Sequence, residues 1–178
     1  MITVISGTNR TNSRTLLFAS YFVEQIKALG QEVQLLDLAE LRHDFFPQEM
    51  YDPAALTPEL LDLQQQYVLE VPKFAIFVPE YNGSYPGILK LFIDGISVNQ
   101  YGKIFKGKHI ALVGISSGRA GNLRGMDHLA ACVSHMGGWV LPEKLPVSNL
   151  ENLLEDGKLT DPDAIKALKA HAEQLIAA

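Results

Sequence analysis

The sequence has very little cysteine. Cys132 is the single cysteine among 178 residues, so the chain can form no internal disulfide, which is typical of a protein in the reducing cytoplasm. No apolar run is long enough to cross a bilayer, and no secretion leader precedes the first strand-like residues. The net charge is −5 without a cluster of Lys and Arg, which argues against nucleic-acid binding. We therefore expect a soluble cytoplasmic protein with no membrane partner and no nucleic-acid partner.

Several common site motifs are also missing. The sequence contains neither GxxxxGKS or GxxxxGKT, the phosphate loop of nucleotide-hydrolysing proteins, nor GxGxxG, the turn that binds dinucleotides. Its histidines show no metal-ligand spacing with cysteine or carboxylates, so we expect no metal site. Any phosphate site in this chain must therefore be of another kind.

Apolar runs alternate with helical patterns along the chain. The runs predict strands at residues 2–6, 33–38, 73–78, 109–115 and from 139 onward. Helical spacing predicts helices at residues 16–29, 59–70, 88–98, up to 135 and from 162 onward. The third and fourth runs are almost continuously apolar, which is typical of strands buried on both faces. The alternation predicts a doubly wound α/β sandwich in which residues 1–178 form a single domain.

An irregular stretch at residues 44–58 interrupts this alternation. It is rich in aromatic residues and proline. A long connection of this kind is usually functional, as a lid or an interface. It can equally pack over an exposed edge of the sheet, and the sequence leaves both interpretations open.

The turn at residues 7–15 joins the first strand to the first helix. It carries hydroxyls on Thr8, Thr11, Ser13 and Thr15, together with the cationic Arg10. The N-terminus of a helix offers unpaired N–H groups and a partial positive charge, and hydroxyls with one cation suit the three oxygens of a terminal phosphate. We predict a monophosphate site here. The simpler alternative is an N-cap at Ser13 that only starts the helix.

Two further unusual loops follow the third and fourth strands. In the loop at residues 79–87, two prolines stiffen the chain, two glycines allow close approach, and Tyr81 and Tyr85 offer ring faces. The loop at residues 116–121 consists mostly of small residues. Loops that follow parallel strands meet at one edge of the sheet, where ligands of such folds bind. A phosphate end and a planar end suggest a mononucleotide such as FMN, although the second loop alone could be a turn with inward-packed aromatics.

Three segments carry a resemblance to a known family. The letters GTNRTNSRT at 7–15, PEYNGSYPGILK at 79–90 and SSG at 116–118 resemble the NADPH-dependent FMN reductase family, which includes chromate, quinone and azo-dye reductases. The resemblance implies a flavodoxin-like fold, a doubly wound five-stranded parallel sheet of order 2-1-3-4-5 with helices on both faces. Leu91 and Gly95 replace an asparagine and a tryptophan of the family pattern, which leaves the subgroup and the acceptor open.

The resemblance also implies which residues bind the cofactor. The residues expected to hold the FMN phosphate are Thr8, Arg10, Ser13 and Thr15. The residues expected to line the isoalloxazine ring and the ribityl chain are Pro79, Glu80, Tyr81, Asn82 and Gly83, with Ser116, Ser117 and Gly118 nearby. Either Arg14 or Arg119 is expected to reach a phosphate of the nicotinamide nucleotide.

The activity that the resemblance implies is hydride transfer from NADPH or NADH to FMN. The electrons then pass to a small-molecule acceptor such as free flavin, a quinone, an azo compound or a metal oxyanion. Because the cofactor carries this chemistry, we nominate no catalytic residue on the protein. Family members are commonly dimers or tetramers, so we expect a homodimer or homotetramer.

Three alternatives of other classes remain at this point, the last of them a regulatory module that binds some other phosphate. Residues 114–118 match GxSxG, which would make Ser116 the nucleophile of a serine hydrolase with Asp161 or Asp163 and His171 as partners. The second alternative is an FMN electron carrier that does not accept hydride from a pyridine nucleotide. Such carriers tend to be strongly acidic for docking to redox partners, whereas the charge of −5 is mild.

Overall fold

A parallel β-sheet forms the centre of the computed structural model, which describes residues 1–41 and 48–178. Its strands are β1 (Ile2–Ser6), β2 (Val33–Asp37), β3 (Lys73–Pro79), β4 (His109–Ile115), β5 (Trp139–Val140) and β6 (Leu145–Val147). The order is β2-β1-β3-β4-β5, and β6 also pairs with β4. Since β5 pairs with the start of β4 and β6 with its end, these two short strands share the fifth position. The predicted order 2-1-3-4-5 is confirmed.

Helices cover both faces of this sheet. They are α1 (Arg14–Ala28), α2 (Pro58–Gln64), α3 (Gly87–Ser97), α4 (Leu123–His135) and α5 (Pro162–Ala177). One core packs α1 and α5 against the sheet through residues such as Phe18 and Leu168, and the other packs α2, α3 and α4 through residues such as Leu60, Phe92 and Leu129. Strands β3 and β4 lie between the two cores and are buried along almost their whole length. No helix described at residues 1–41 and 48–178 is long and apolar enough to span a membrane.

The helix predicted at residues 59–70 changes its character halfway. It is α-helical only to Gln64 and continues as a π-helical turn over Gln65–Leu69. Side chains of Thr3 on β1 and of Lys108, the residue before β4, bond to carbonyls at the end of this wider turn. Thr3 Oγ1 donates to the carbonyl of Tyr67 at 2.8 Å, and Lys108 Nζ donates to those of Val68 and Leu69.

Two other segments lie outside the regular alternation of strands and helices: a hairpin before α5 and the irregular stretch at residues 44–58. A short hairpin of β7 (Leu154–Glu155) and β8 (Lys158–Leu159) precedes α5, and the sequence analysis did not predict it. Of the irregular stretch at 44–58, residues 44–47 lie outside the described residues. The remainder contains one short 3₁₀ turn, Pro53–Ala55, capped by Asp52.

The stability of the fold should depend on pH through His171 on α5. This side chain is 3% exposed, and burial lowers the pKa of His171 below its ordinary value of 6.5. The unfolded chain keeps that ordinary pKa. The free energy of unfolding from this group is therefore complete above pH 6.5 and is lost as the pH falls toward the folded-state pKa.

We predict that replacing His171→Leu flattens this dependence. Between pH 7.5 and 5.5, wild type should lose more of its free energy of unfolding than the variant, by at most about 1.4 kcal/mol for each pH unit below 6.5. Urea titrations of both proteins at the two pH values measure this difference, and the exposed histidines cancel in the comparison. If the free energy of unfolding depended on pH identically in the two proteins, the attribution of this dependence to His171 would be wrong.

Candidate functional site

The three unusual loops meet at the carboxyl edge of the sheet. Together they enclose a cavity of about 750 Å³, within the range of small-molecule sites in proteins. All the residues predicted to bind the cofactor line it: Thr8, Arg10, Ser13, Arg14 and Thr15 from the first loop, Pro79, Glu80, Tyr81, Asn82 and Gly83 from the second, and Ser116, Ser117 and Gly118 from the third. The geometry brings these residues together, while their roles toward a cofactor stay predictions.

The first loop lies tightly against β3. The backbone N–H of Gly7 donates to the carbonyl of Phe77 at 2.9 Å, and a Cβ added at Gly7 would lie 2.8 Å from that oxygen. Only glycine allows this approach without a shift. The next residue, Thr8, is 1% exposed, and its Oγ1 accepts from the N–H of Arg10 at 3.3 Å.

Ser13 begins α1. Its Oγ accepts from the N–H of Leu16 at 3.1 Å, so the simpler N-cap interpretation describes this contact correctly. Accepting that bond leaves the hydroxyl proton of Ser13 free to donate. The N-cap and a phosphate contact are therefore compatible at the same side chain.

The second loop contains a tight turn. Tyr81 N donates to the carbonyl of Ser84 at 2.9 Å, and Ser84 N donates back to that of Tyr81 at 3.0 Å. The central residues Asn82 and Gly83 have φ of 52° and 75°, the left-handed pair of a type I′ turn. These bonds use neither central N–H group, so both remain available to a ligand.

Helix α4 supports that turn from outside the cavity. Ser84 Oγ lies 2.9 Å from His128 Nδ1, and Arg124 extends over Gly83, where its guanidinium is 2.8 Å from the position of an added Cβ. His128 and Arg124 are four residues apart and so share one face of α4.

Tyr85, whose ring was expected to face the ligand, does not line the cavity. It is half-buried beside α3, where burial raises the pKa of Tyr85.

The third loop is organised around Ser116. Its N–H donates to the carbonyl of Val147 on β6 at 3.0 Å, while its Oγ accepts from the N–H of Gly118 at 2.9 Å. The same hydroxyl donates to Glu80 Oε2 at 3.4 Å, which connects the second and third loops.

The hydrolase alternative places Ser116 in a triad that the structure does not assemble. Neither Asp161, Asp163 nor His171 lines the cavity with Ser116. Asp161 instead caps α5 by accepting from the N–H of Ala164 at 2.8 Å, and His171 Nδ1 lies 3.3 Å from Gln174 Oε1.

The sequence analysis missed one wall of the cavity, the segment after β6. Leu150 and Glu151 line it because Leu150 N donates to the carbonyl of Ser116 at 3.3 Å. Glu151 forms an exposed ion pair with Arg14 at 3.6 Å. No motif marks these residues, since the split fifth strand places them there.

The cavity is more positive than the chain as a whole. Arg10, Arg14 and Arg119 line it against two carboxylates, Glu80 and Glu151, whereas the whole chain has a net charge of −5. This local excess favours anionic ligands. Within residues 1–41 and 48–178, no group of three or more His, Cys, Asp and Glu side chains could hold a metal ion.

Solved structures share this architecture. The flavoenzyme NAD(P)H:(acceptor) oxidoreductase FerB from Paracoccus denitrificans superposes with a TM-score of 0.77 at 25% sequence identity, covering 99% of this chain and 94% of that one. An archaeal flavodoxin superposes with a TM-score of 0.61 at 14% identity, covering 99% and 97% of the two chains. At that identity the second likeness concerns the fold alone, and it confirms the flavodoxin-like architecture.

Sequence comparison gives the family. The FMN-dependent NADPH-azoreductase of Staphylococcus aureus is 28% identical over 148 residues, which are 80% of this chain and 73% of that protein. A family model described as NADPH-dependent FMN reductase matches residues 1–152. The match confirms the resemblance seen in the sequence and the prediction of an oxidoreductase that uses FMN and NAD(P)H. The chain belongs to the NADPH-dependent FMN reductase family.

Proposed function

We propose that the protein binds FMN in the cavity between its three loops and reduces small planar acceptors, azo compounds and quinones first among them. Family membership supports an NAD(P)H-dependent FMN oxidoreductase as the enzyme class of this protein. The observation that carries the proposal is that a hydroxyl-and-arginine turn and a type I′ turn line the same cavity. The azoreductase relative supports azo compounds as acceptors.

The first loop has the donors that a phosphate monoester needs. Helix α1 begins there and has fifteen residues, so its N-terminus offers unpaired N–H groups and a partial positive charge. Arg10 adds a cation with a fixed fork of donors, and Ser13 keeps a hydroxyl proton to donate. These groups fit a dianionic phosphate and would hold that end of FMN.

The second and third loops fit the flat end of FMN. The free N–H groups of Asn82 and Gly83 can donate to ring heteroatoms, and Ile115 and Leu150 give the wall an apolar part. When bound, FMN accepts hydride from the nicotinamide and supplies the electrons to the acceptor. The protein's part is to orient the ring and to keep one ring face accessible.

The electron-carrier alternative finds no support beyond the fold. A flavodoxin shares the architecture at only 14% identity, whereas the family match covers residues 1–152. The hydrolase alternative is likewise not supported.

We predict that Arg10→Ala and Ser13→Ala weaken FMN binding. Each removes a hydrogen bond to a charged phosphate, a contribution of about 1.5–3 kcal/mol, or roughly tenfold to a hundredfold in Kd. Titration of the flavin-free protein with FMN, followed by quenching of flavin fluorescence, measures the effect. Ser13→Ala also loses its N-cap, at about 1 kcal/mol of stability, so folding must be checked by circular dichroism.

The matched control for Arg10→Ala is Arg119→Ala. Both remove one guanidinium from the same cavity, but Arg119 lies on the third loop. We expect the Arg119 variant to keep its FMN affinity. Equal weakening by both would show that the cavity's total charge, rather than the first loop, holds the phosphate.

We predict that NADPH or NADH reduces the bound flavin. Under anaerobic conditions the visible flavin absorbance should bleach after either coenzyme is added and return when an azo dye or a quinone follows. Retained FMN that neither coenzyme reduces would favour the electron carrier. Bleaching that only free flavin or a metal oxyanion reverses would contradict the proposed acceptor class.

We also propose a cytoplasmic homodimer or homotetramer. The proposal rests on the family to which the chain belongs, whose members are commonly dimers or tetramers. Light scattering should give a mass of two or four times the 19.6 kDa of one chain. A single-chain mass at micromolar concentration would contradict this.

A further inference from the structure

One hydrogen bond joins the loop proposed to hold the phosphate to the loop proposed to hold the ring. The hydroxyl of Tyr81 lies 2.8 Å from Thr8 Oγ1, although the two residues are 73 positions apart in the sequence. Thr8 is 1% exposed, and both side chains line the cavity. The bond therefore lies at the wall where the two loops meet.

The hydrogen-bonding capacity of Thr8 restricts the direction of that bond. A hydroxyl donates once and accepts twice, and Thr8 Oγ1 already accepts from the N–H of Arg10 at 3.3 Å. If Tyr81 also donates to it, both acceptor positions are used and the proton of Thr8 is free to donate elsewhere. If Thr8 donates to Tyr81 instead, Thr8 has no proton left for a ligand.

We propose that Tyr81 is a positioning residue for the phosphate of FMN: its hydroxyl donates to Thr8 and thereby makes Thr8 a donor to the phosphate. The inference rests on the proposed function, which places the phosphate at the first loop. A phosphate dianion only accepts hydrogen bonds, so a phosphate in contact with Thr8 selects the direction in which Tyr81 donates. Hydrogen bonds in such a chain strengthen one another.

The backbone that carries Tyr81 is held in place independently of any ligand. The turn from Tyr81 to Ser84 is closed by two backbone bonds, and Glu80 N donates to the carbonyl of Ile115 on β4 at 3.0 Å. The loop therefore continues the rigid end of the sheet and holds the phenol against Thr8. Because the donor is already in place, less conformational freedom is lost when the ligand binds.

A simpler role for Tyr81 would be to pack its ring against the flavin. The two roles differ in how FMN and riboflavin respond, since riboflavin has the same ring without the phosphate. A positioning role of the Tyr81 hydroxyl affects the affinity for FMN alone. Packing of the Tyr81 ring affects the affinities for FMN and for riboflavin equally.

The test is titration of the flavin-free, full-length protein with FMN and with riboflavin, in wild type and in Tyr81→Phe and Thr8→Val. The first change keeps the ring and removes the hydroxyl, and the second keeps the shape of the side chain. We expect each to raise the Kd for FMN about tenfold and to leave the Kd for riboflavin within about twofold. Because both act on one chain of bonds, the double variant should lose no more than the larger single loss.

Two controls accompany this test. Tyr85→Phe makes the same chemical change in the same loop but outside the cavity, and it should keep the preference for FMN. Thr8→Ser keeps the hydroxyl, and this variant should also keep the preference for FMN over riboflavin. Circular dichroism of every variant separates loss of binding from loss of the fold, and the two single variants test the chain of bonds independently.

The outcomes separate the inference from the proposed function. A wild-type protein that binds riboflavin as tightly as FMN overturns the phosphate site itself. A wild-type preference for FMN that survives in full in Tyr81→Phe overturns the inference and leaves the phosphate site standing. Equal weakening of both ligands in Tyr81→Phe also overturns it, because a loss that riboflavin shares does not act through the phosphate. Selective loss of FMN affinity with non-additivity supports it.

Discussion

The site depends on how closely the first loop lies against β3. Gly7 N donates to the carbonyl of Phe77 at 2.9 Å, and a side chain at Gly7 would collide with that oxygen. Since β1 and β3 are neighbours in the parallel sheet, the loops that follow them lie side by side. Thr8 and Tyr81 thus come within hydrogen-bonding distance, and the third loop joins them through Ser116 and Glu80.

Charge then decides which ligands this edge of the sheet favours. The chain is acidic overall, yet Arg10, Arg14 and Arg119 line its cavity. FMN and the nicotinamide nucleotides are both anionic, so this local excess of positive charge suits the ligands of the proposed function. The pair of Arg14 with Glu151 is exposed and so contributes little to stability. The pair places Arg14 beside the segment after β6.

Much of the fold and the site follows from local signals in the sequence. Buried parallel strands appear as apolar runs, and loops after such strands share one edge, so the meeting of the three loops was predictable. The rest depends on contacts between distant segments. Thr3 and Lys108 bond to carbonyls at the end of the predicted second helix, where the α-helix gives way to a π-helical turn. The split fifth strand brings Leu150 and Glu151 to the cavity. No periodicity or short motif records such contacts.

A crystal structure of the protein grown with FMN tests the central claim most directly. We expect the phosphate at the N-terminus of α1, within about 3 Å of the Ser13 hydroxyl and the Arg10 guanidinium, and the ring against residues 79–83. A phosphate at the third loop, or FMN bound away from the cavity of the three loops, would contradict it.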